Sequence, residues 1–268
     1  MATLSHLIPE VIEIARSSGR LILDIYEKGI FEEFTKSDST PVTSADLAAH
    51  KYVTEQLAKL TPDIPVLSEE DAKVSLAERS QWDRYWLVDP LDGTQEFIAR
   101  SGDFATIIAL VENNQPVMGV VYAPIANLTY FAYQGEGAWK VENNERFPIG
   151  IHKHQESDEN ISIAVSRRQK LSTITERMDS SWHYDFTPLG SAALKACLVA
   201  EGAVDCYLRI GPTGEWDTAA TQCIVEEAGG KILNTQLQPL TYNEEESLEN
   251  PNFIVLGDQD LPWSKILK

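Results

Sequence analysis

Six consecutive residues, Asp89-Pro90-Leu91-Asp92-Gly93-Thr94, set two carboxylates, a glycine and a hydroxyl at the end of the apolar run Trp86-Leu87-Val88. Such a run suits a buried strand. Pro90 is expected to end it, so that both carboxylates converge in the turn instead of alternating across a sheet. Thr94 then opens a helix through residues 95–99, and the free N–H groups of a first helical turn favour an anion. Paired carboxylates before a helix start are a layout for metal ions held against a phosphate. An Asp-Gly turn capped by threonine is also ordinary loop chemistry, so the reading depends on other acidic sites.

Two such sites exist. Val66-Leu67-Ser68-Glu69-Glu70-Asp71 is again a short apolar strand that ends in carboxylates. Downstream, Gly211-Pro212-Thr213-Gly214-Glu215-Trp216-Asp217 places Asp217 at the start of a helical pattern that ends at Ala228-Gly229-Gly230, in a position suited to an N-cap. A hard cation such as Mg²⁺ takes oxygen ligands in near-octahedral geometry and keeps several waters, which carboxylates from separate element ends can supply.

This order of motifs, Glu69-Glu70, then Asp89 to Thr94, then Trp216-Asp217 followed by Ala228-Gly229-Gly230, resembles the inositol monophosphatase superfamily of Mg²⁺-dependent, lithium-sensitive phosphatases over nearly the whole chain. Within it, Pro41-Val42-Thr43-Ser44-Ala45-Asp46, Leu67 to Asp71, Gly119-Val120-Val121-Tyr122-Ala123-Pro124 and Gly211-Pro212-Thr213 most resemble the 3'(2'),5'-bisphosphate nucleotidases of the CysQ type. The resemblance implies an α/β (α+β) fold, a layered α/β/α/β/α sandwich with the active site between two coupled halves. It implies Glu69, Asp89 and the Leu91 carbonyl as ligands of a first Mg²⁺, and Asp89, Asp92 and Asp217 as ligands of a second. Glu69 and Glu70 would hold a third, weaker ion.

Asp46 and Thr94 become the pair that activates the attacking water, although Asp46 in a first helical turn can equally serve only its own helix. The backbone N–H groups of Gly93 and Thr94 would hold the transferred phosphate. Substrate contacts are carried over to Glu69, Leu91, Asp92, Gly93, Thr94, Ser166, Gly190, Ser191, Lys195 and Asp217, with Lys195 facing the phosphate that is not cleaved. One departure is visible. The chain reads Ser166-Arg167-Arg168-Gln169 where relatives carry Ser-Arg-x-His, leaving Gln169 to bond base or ribose and the arginines to pair with phosphate.

The implied reaction is hydrolysis of the 3'-phosphate of 3'-phosphoadenosine 5'-phosphate to AMP, as in relatives that serve sulfur assimilation. An inositol monophosphatase would use the same ligands, and a noncatalytic metal or nucleotide sensor is the reading of another class. Composition narrows the partners. With 22 basic and 41 acidic residues the net charge is −19, which opposes nucleic-acid polymers and anionic membranes, while bound divalent ions would reverse the local potential for a small phosphorylated substrate. Three cysteines without C-x-x-C spacing fit a reducing cytoplasm, with a peripheral place at the inner membrane kept as an alternative. The N-terminus lacks the pattern of a secretory signal, and no run is long enough to span a bilayer.

The elements that must carry these residues follow from periodicity. A helix is expected over residues 5–28, a strand over 31–35, a polar loop over 36–41, and a helix capped by Thr43 or Ser44 reaching Leu60. Strands over 64–68, 85–89, 104–112, 117–123, 128–133 and 138–141 follow, largely as hairpins. Periodicity fails over 148–160. The chain therefore divides into an N-terminal α+β catalytic subdomain, 1–155, and a C-terminal α/β substrate-recognition subdomain, 156–268. In the latter, strands over 162–166, 184–187, 204–208, 231–233 and 253–256 alternate with helices near 170–178, 191–201 and 217–228. The pair His152 and His154 could bind a transition metal but falls in the polar linker without a third ligand. A homodimer is compatible with the long first helix and the hairpins.

Overall fold

The structure, a computed structural model, describes residues 4–35, 40–155 and 160–268. Helix α1 (Ile8–Lys28) has a proline in its first turn and closes on Gly29 at φ 65°, the left-handed conformation that glycine adopts without penalty. Its buried stripe includes Val11, Ile14, Ala15 and Ile22. A short hairpin, β1 (Glu33–Thr35) with β2 (Pro41–Thr43), leads into helix α2 (Ser44–Leu60). Proline at 41 disguised β2 as part of the loop, and an edge strand is where a sheet tolerates it.

The first sheet has seven strands in the order β3 (Val66–Ser68), β4 (Arg84–Asp92), β5 (Ala105–Glu112), β6 (Gln115–Ala123), β7 (Leu128–Tyr133), β8 (Ala138–Glu142) and β9 (Glu145–Ile149). Only β3 and β4 are parallel; the rest pair as antiparallel neighbours. Strand β9 was absent from the sequence expectation. Asn143 and Asn144, at φ 53° and 63°, form the two-residue turn that pairs it with β8.

The second sheet runs β11 (His183–Leu189), β10 (Asn160–Ser166), β12 (Cys206–Arg209), β14 (Phe253–Leu256), β13 (Lys231–Asn234). Strand β10 is parallel to both its neighbours, and β14 is antiparallel to both of its own. Helices α6 (Ala192–Ala200) and α7 (Glu215–Glu227) lie between the two sheets. Helix α5 covers only Leu171–Thr175, shorter than expected, and α8 (Trp263–Ile266) and α3 (Leu76–Arg79) were not anticipated.

Alternation along β4 shows the layering. Trp86 and Val88 face the α1/α2 layer, while Tyr85 and Leu87 join the core shared with α6 and α7. On the far side of the second sheet, Ile163, Leu208 and Ile254 pack with Ile174, Trp263 and Ile266. The result is five layers, α/β/α/β/α. Gly119 on β6 permits the tight middle seam, since a Cβ there would collide with the backbone of Ala220 on α7. That seam joins both halves of the chain in one hydrophobic cluster, beside which each half keeps a cluster of its own. Residues 156–159, at the expected start of the C-terminal subdomain, lie outside the described residues. No helix among the described residues is long and apolar enough to cross a membrane, and nothing among them supports a peripheral place at the inner membrane.

Candidate active site

Pro90 does not end β4. The strand continues to Asp92 with a register shift against β5, where Asp89 pairs with Ile107 and Asp92 with Ala105. Three steps on β4 oppose two on β5, so one residue is bulged out. Residues three apart on a regular strand face opposite sides; the extra residue restores parity and turns both carboxylates the same way. Pro90 suits the bulge because it has no N–H to leave unpaired, and its carbonyl accepts from Thr106 Oγ1 at 3.0 Å. Asp89 Oδ1 braces the bulge further by accepting the Leu91 N–H at 2.9 Å.

Gly93, at φ 97°, makes the turn into α4 (Thr94–Ile98). A Cβ there would crowd the Asp103 carbonyl, so both backbone angle and space require glycine. Asp217 enters from α7, where it is not the N-cap. Gly214 caps, and Asp217 occupies the third helical position with Oδ2 accepting the Gly214 N–H at 2.7 Å. Carboxylate oxygens of Asp89, Asp92 and Asp217 all lie within 4.8 Å of one another. Glu69, in the short 3₁₀ turn after β3, lies against Asp89.

Burial and the neighbouring charges of Glu69, Asp217 and Asp92 push the Asp89 carboxyl well above the usual carboxylate range. Asp217 is raised likewise, by burial and by Asp92 and Glu69. A buried set of oxygen-only anionic donors with no lysine or arginine among them fits a hard divalent cation. Glu70 follows Glu69 in the same turn and is half-buried.

Asp46 repeats the device of Asp217 at the start of α2. Its Oδ2 accepts the N–H and the hydroxyl of Thr43 at 2.8 and 2.6 Å, closing a capping box. Its Oδ1 accepts Thr94 Oγ1 at 2.8 Å. One carboxylate therefore serves both helix start and cleft. Burial raises its proton affinity despite the hydrogen bonds from Thr43 and Thr94. Thr94 Oγ1 also lies 3.3 Å from the Leu91 carbonyl.

The C-terminal half grips the same cluster. Asp92 Oδ2 accepts the Ser191 hydroxyl and, at 2.8 Å, the Ala193 N–H at the start of α6. Ser191 is held at φ 54°, an unusual conformation for a side-chain-bearing residue, and its hydroxyl also caps Leu194. Lys195 is 2% exposed, and Nζ donates to the carbonyls of Leu189, Gly190 and Ser191. Burial lowers its pKa to about 8. Its ammonium thus holds the 189–191 loop from beneath. Gly190 N donates to Asp103 Oδ2 at 2.8 Å, and a Cβ on it would strike Asp103 and Glu96.

Arg167 and Arg168 are likewise engaged, with Asp103 at 2.5 Å and Glu96 at 2.7 Å, and Gln169 Nε2 donates to the Ile210 carbonyl. Ser166 lines the cleft beside them. The cleft over the carboxylates measures about 420 Å³ and continues into a lobe of about 270 Å³ through shared walls at Glu69, Asp92, Thr94 and Asp217. Arg209 lines that lobe and was missed by the sequence reading. Its Nε is buried with no hydrogen-bond acceptor among the described residues. The available signal was its place at the end of the apolar strand Cys206-Tyr207-Leu208, just where β3 and β4 deliver their own charged groups.

A family model, the inositol monophosphatase family, matches residues 3–258. The chain is 45% identical over 262 residues to the 3'(2'),5'-bisphosphate nucleotidase CysQ of Aggregatibacter actinomycetemcomitans, covering 98% of this chain and 97% of that protein. Among solved structures, it resembles CysQ from Bacteroides thetaiotaomicron with a TM-score of 0.81 and 35% identity, over 97% of this chain and 99% of the other. It also resembles an inositol monophosphatase of Thermotoga maritima with a TM-score of 0.76 and 29% identity, over 93% and 91% of the two chains.

Proposed function

The chain belongs to the inositol monophosphatase family, and from that premise we propose that it is a 3'(2'),5'-bisphosphate nucleotidase that releases the 3'-phosphate of 3'-phosphoadenosine 5'-phosphate, leaving AMP. The observation that carries this reading is the meeting of Asp46 and Thr94 with the carboxylates of Asp89, Asp92 and Asp217 around one cleft. Glu69, Asp89, the Leu91 carbonyl, Asp92 and Asp217 would hold two Mg²⁺ ions, with Glu70 beside a weaker third. When bound, the ions neutralise the phosphoryl oxygens and make a coordinated water more acidic.

The protein's own part is orientation and proton handling. The Thr94 hydroxyl donates to Asp46 Oδ1, so its lone pairs face the cleft, ready to accept a proton from the attacking water. As Thr94 Oγ1 gains that proton it passes its own to Asp46 Oδ1. Burial raises the affinity of Asp46 for a proton, which suits it to receive one. The turn at Gly93 brings backbone close to the substrate, and first-turn N–H groups have no intrahelical acceptor, so the amides of Gly93 and Thr94 orient the transferred phosphate.

Arg209 is the cation for the phosphate that stays: it lines the lobe, and although its Nη2 donates to the Pro212 carbonyl at 2.9 Å its Nε has no acceptor among the described residues, whereas Lys195 is bound to loop carbonyls and Arg167 and Arg168 to carboxylates. The 189–191 loop and Ser166 form the nucleotide wall. The intact Asp46–Thr94 pair speaks against a noncatalytic sensor. Measuring kcat/KM with Mg²⁺ for 3'-phosphoadenosine 5'-phosphate, AMP and inositol 1-phosphate tests the assignment. The bisphosphate should lead by more than about tenfold, the scale of one charge-assisted hydrogen bond. Equal values for the bisphosphate and inositol 1-phosphate would overturn it in favour of a general monophosphatase. Lithium inhibition and a place in sulfur assimilation belong to the same proposal.

A further inference from the structure

The linker histidines meet a carboxylate from the other half of the chain, Asp205. His152 Nδ1 lies 2.9 Å from Asp205 Oδ1, and His154 Nε2 lies 3.0 Å from the same oxygen. All three ligand atoms fall within 4.8 Å of one another. Bonds of about 2.0–2.2 Å to a first-row divalent ion put neighbouring ligand atoms roughly 3.0–3.4 Å apart, so the two histidine–Asp205 separations already match edges of a coordination shell.

The framework around these atoms is built. Residues 152 and 154 share one side of an extended segment, and Lys153 points away to Asp258 at 2.6 Å. The His154 N–H donates to Asp258 Oδ2 at 3.1 Å, and Ile151 N–H donates to the Ala228 carbonyl, which fixes the backbone on both sides of the pair. Asp205 is 2% exposed, and its second oxygen accepts the Ser162 N–H and hydroxyl at 2.7 and 2.6 Å. A ligating carboxylate oriented by such bonds is the support that metal sites use. His152 is 41% exposed, so solvent reaches the cluster and water can complete the shell.

We propose that His152, His154 and Asp205 form a second metal site, selective for an imidazole-preferring divalent transition ion of the zinc class. Two nitrogen donors and one carboxylate suit such an ion, whereas the oxygen-only cluster at Asp89 suits Mg²⁺. The ion would tie the segment after β9 to the loop preceding β12, across the junction of the two halves. This site is independent of the nucleotidase assignment.

The test titrates zinc chloride into the full chain in excess Mg²⁺. In wild-type protein, the imidazole ¹⁵N resonances of His152 and His154 should shift on Zn²⁺ binding while those of His6 and His183 stay in place. By calorimetry in an Asp89→Asn background, which weakens the carboxylate cluster, His152→Ala/His154→Ala should lower zinc affinity by more than about tenfold, the scale reached by losing even an outer-shell partner. Unmoved His152 and His154 resonances at zinc saturation, or matching isotherms with and without the histidines, would overturn the site.

Discussion

Asp89 lies within β4, three residues from its end, and Asp205 just before β12, and both are almost fully buried, at 1% and 2% exposure. Their surroundings have opposite sign. Asp89 is surrounded by Glu69, Asp92 and Asp217, and burial together with those charges raises its pKa. Burial acts on Asp205 in the same direction, yet hydrogen bonds from Ser162 and His152 outweigh it and the carboxyl falls below the ordinary range. One neighbourhood leaves its negative charge for something outside the protein to balance, and the other balances it from within. A cation from outside is therefore called for at the first, whereas an ion at the second would replace hydrogen bonds that the protein already makes.

The largest test of this contrast is Asp89→Asn. Turnover should fall by at least about 10³-fold in a steady-state assay, comparable to losing a preorganised electrostatic partner. The same variant should raise the melting temperature of metal-free protein, by roughly 2–4 °C for each kcal/mol of repulsion relieved. A lower melting temperature would break the comparison, because it would mean that Asp89 is stabilised by protein groups alone.

Thr94→Ala and Asp46→Asn come next, each expected to reduce kcat by roughly 10²–10³-fold, the scale of a lost proton acceptor, with Mg²⁺ affinity by calorimetry unchanged. In wild type, activity needs Asp46 ionised, so kcat should decline as pH falls through a value above the ordinary carboxylate range, because burial raises that pKa. A pH–rate profile checks the sign: an acid limb unaltered in Asp46→Asn would remove Asp46 from the proton path.

Arg209 is the mirror case, a half-buried cation whose buried Nε lacks an acceptor among the described residues. Arg209→Ala should reduce kcat/KM for the bisphosphate by about tenfold and leave that for inositol 1-phosphate within about twofold. The smallest effect is on stability. Asp205→Asn should cost about 1.5–3 kcal/mol through its charge-assisted bonds, read as a lower denaturation midpoint with the denaturant slope unchanged. Opposite stability shifts for Asp89→Asn and Asp205→Asn are the sharpest form of the contrast.

Local patterns made most of the fold legible. The stripe of Val11, Ile14, Ala15 and Ile22 marked α1, and strands β5, β6 and β7 stood out as apolar runs between turn residues. Errors arose where a local signal had two meanings. Proline at 41 and 90 reads as a strand breaker, but β2 is an edge strand and β4 carries a bulge, two places where a missing N–H costs nothing. Asp217 reads as an N-cap, and Gly214 takes that place because Asp217 caps equally well from the third helical position. Lys195 reads as the cation for the phosphate that is not cleaved, and only the fold shows that its Nζ donates to the loop carbonyls of Leu189, Gly190 and Ser191.

The sequence by itself determined the chemistry available at the Asp89–Thr94 turn, since two carboxylates, a glycine and a hydroxyl fall within six residues. Tertiary structure alone decided which distant groups meet there and elsewhere. Asp92 is gripped by Ser191 and Ala193, Thr94 by Asp46, and His152 and His154 find Asp205, pairs too far apart along the chain for any local preference to specify. The meetings across the two halves follow from α6 and α7 packing between two sheets, because burying both apolar faces against the same helices draws the polar ends of separate strands into contact, while Asp46 reaches Thr94 through the packing of α2 against Leu91 and Phe97.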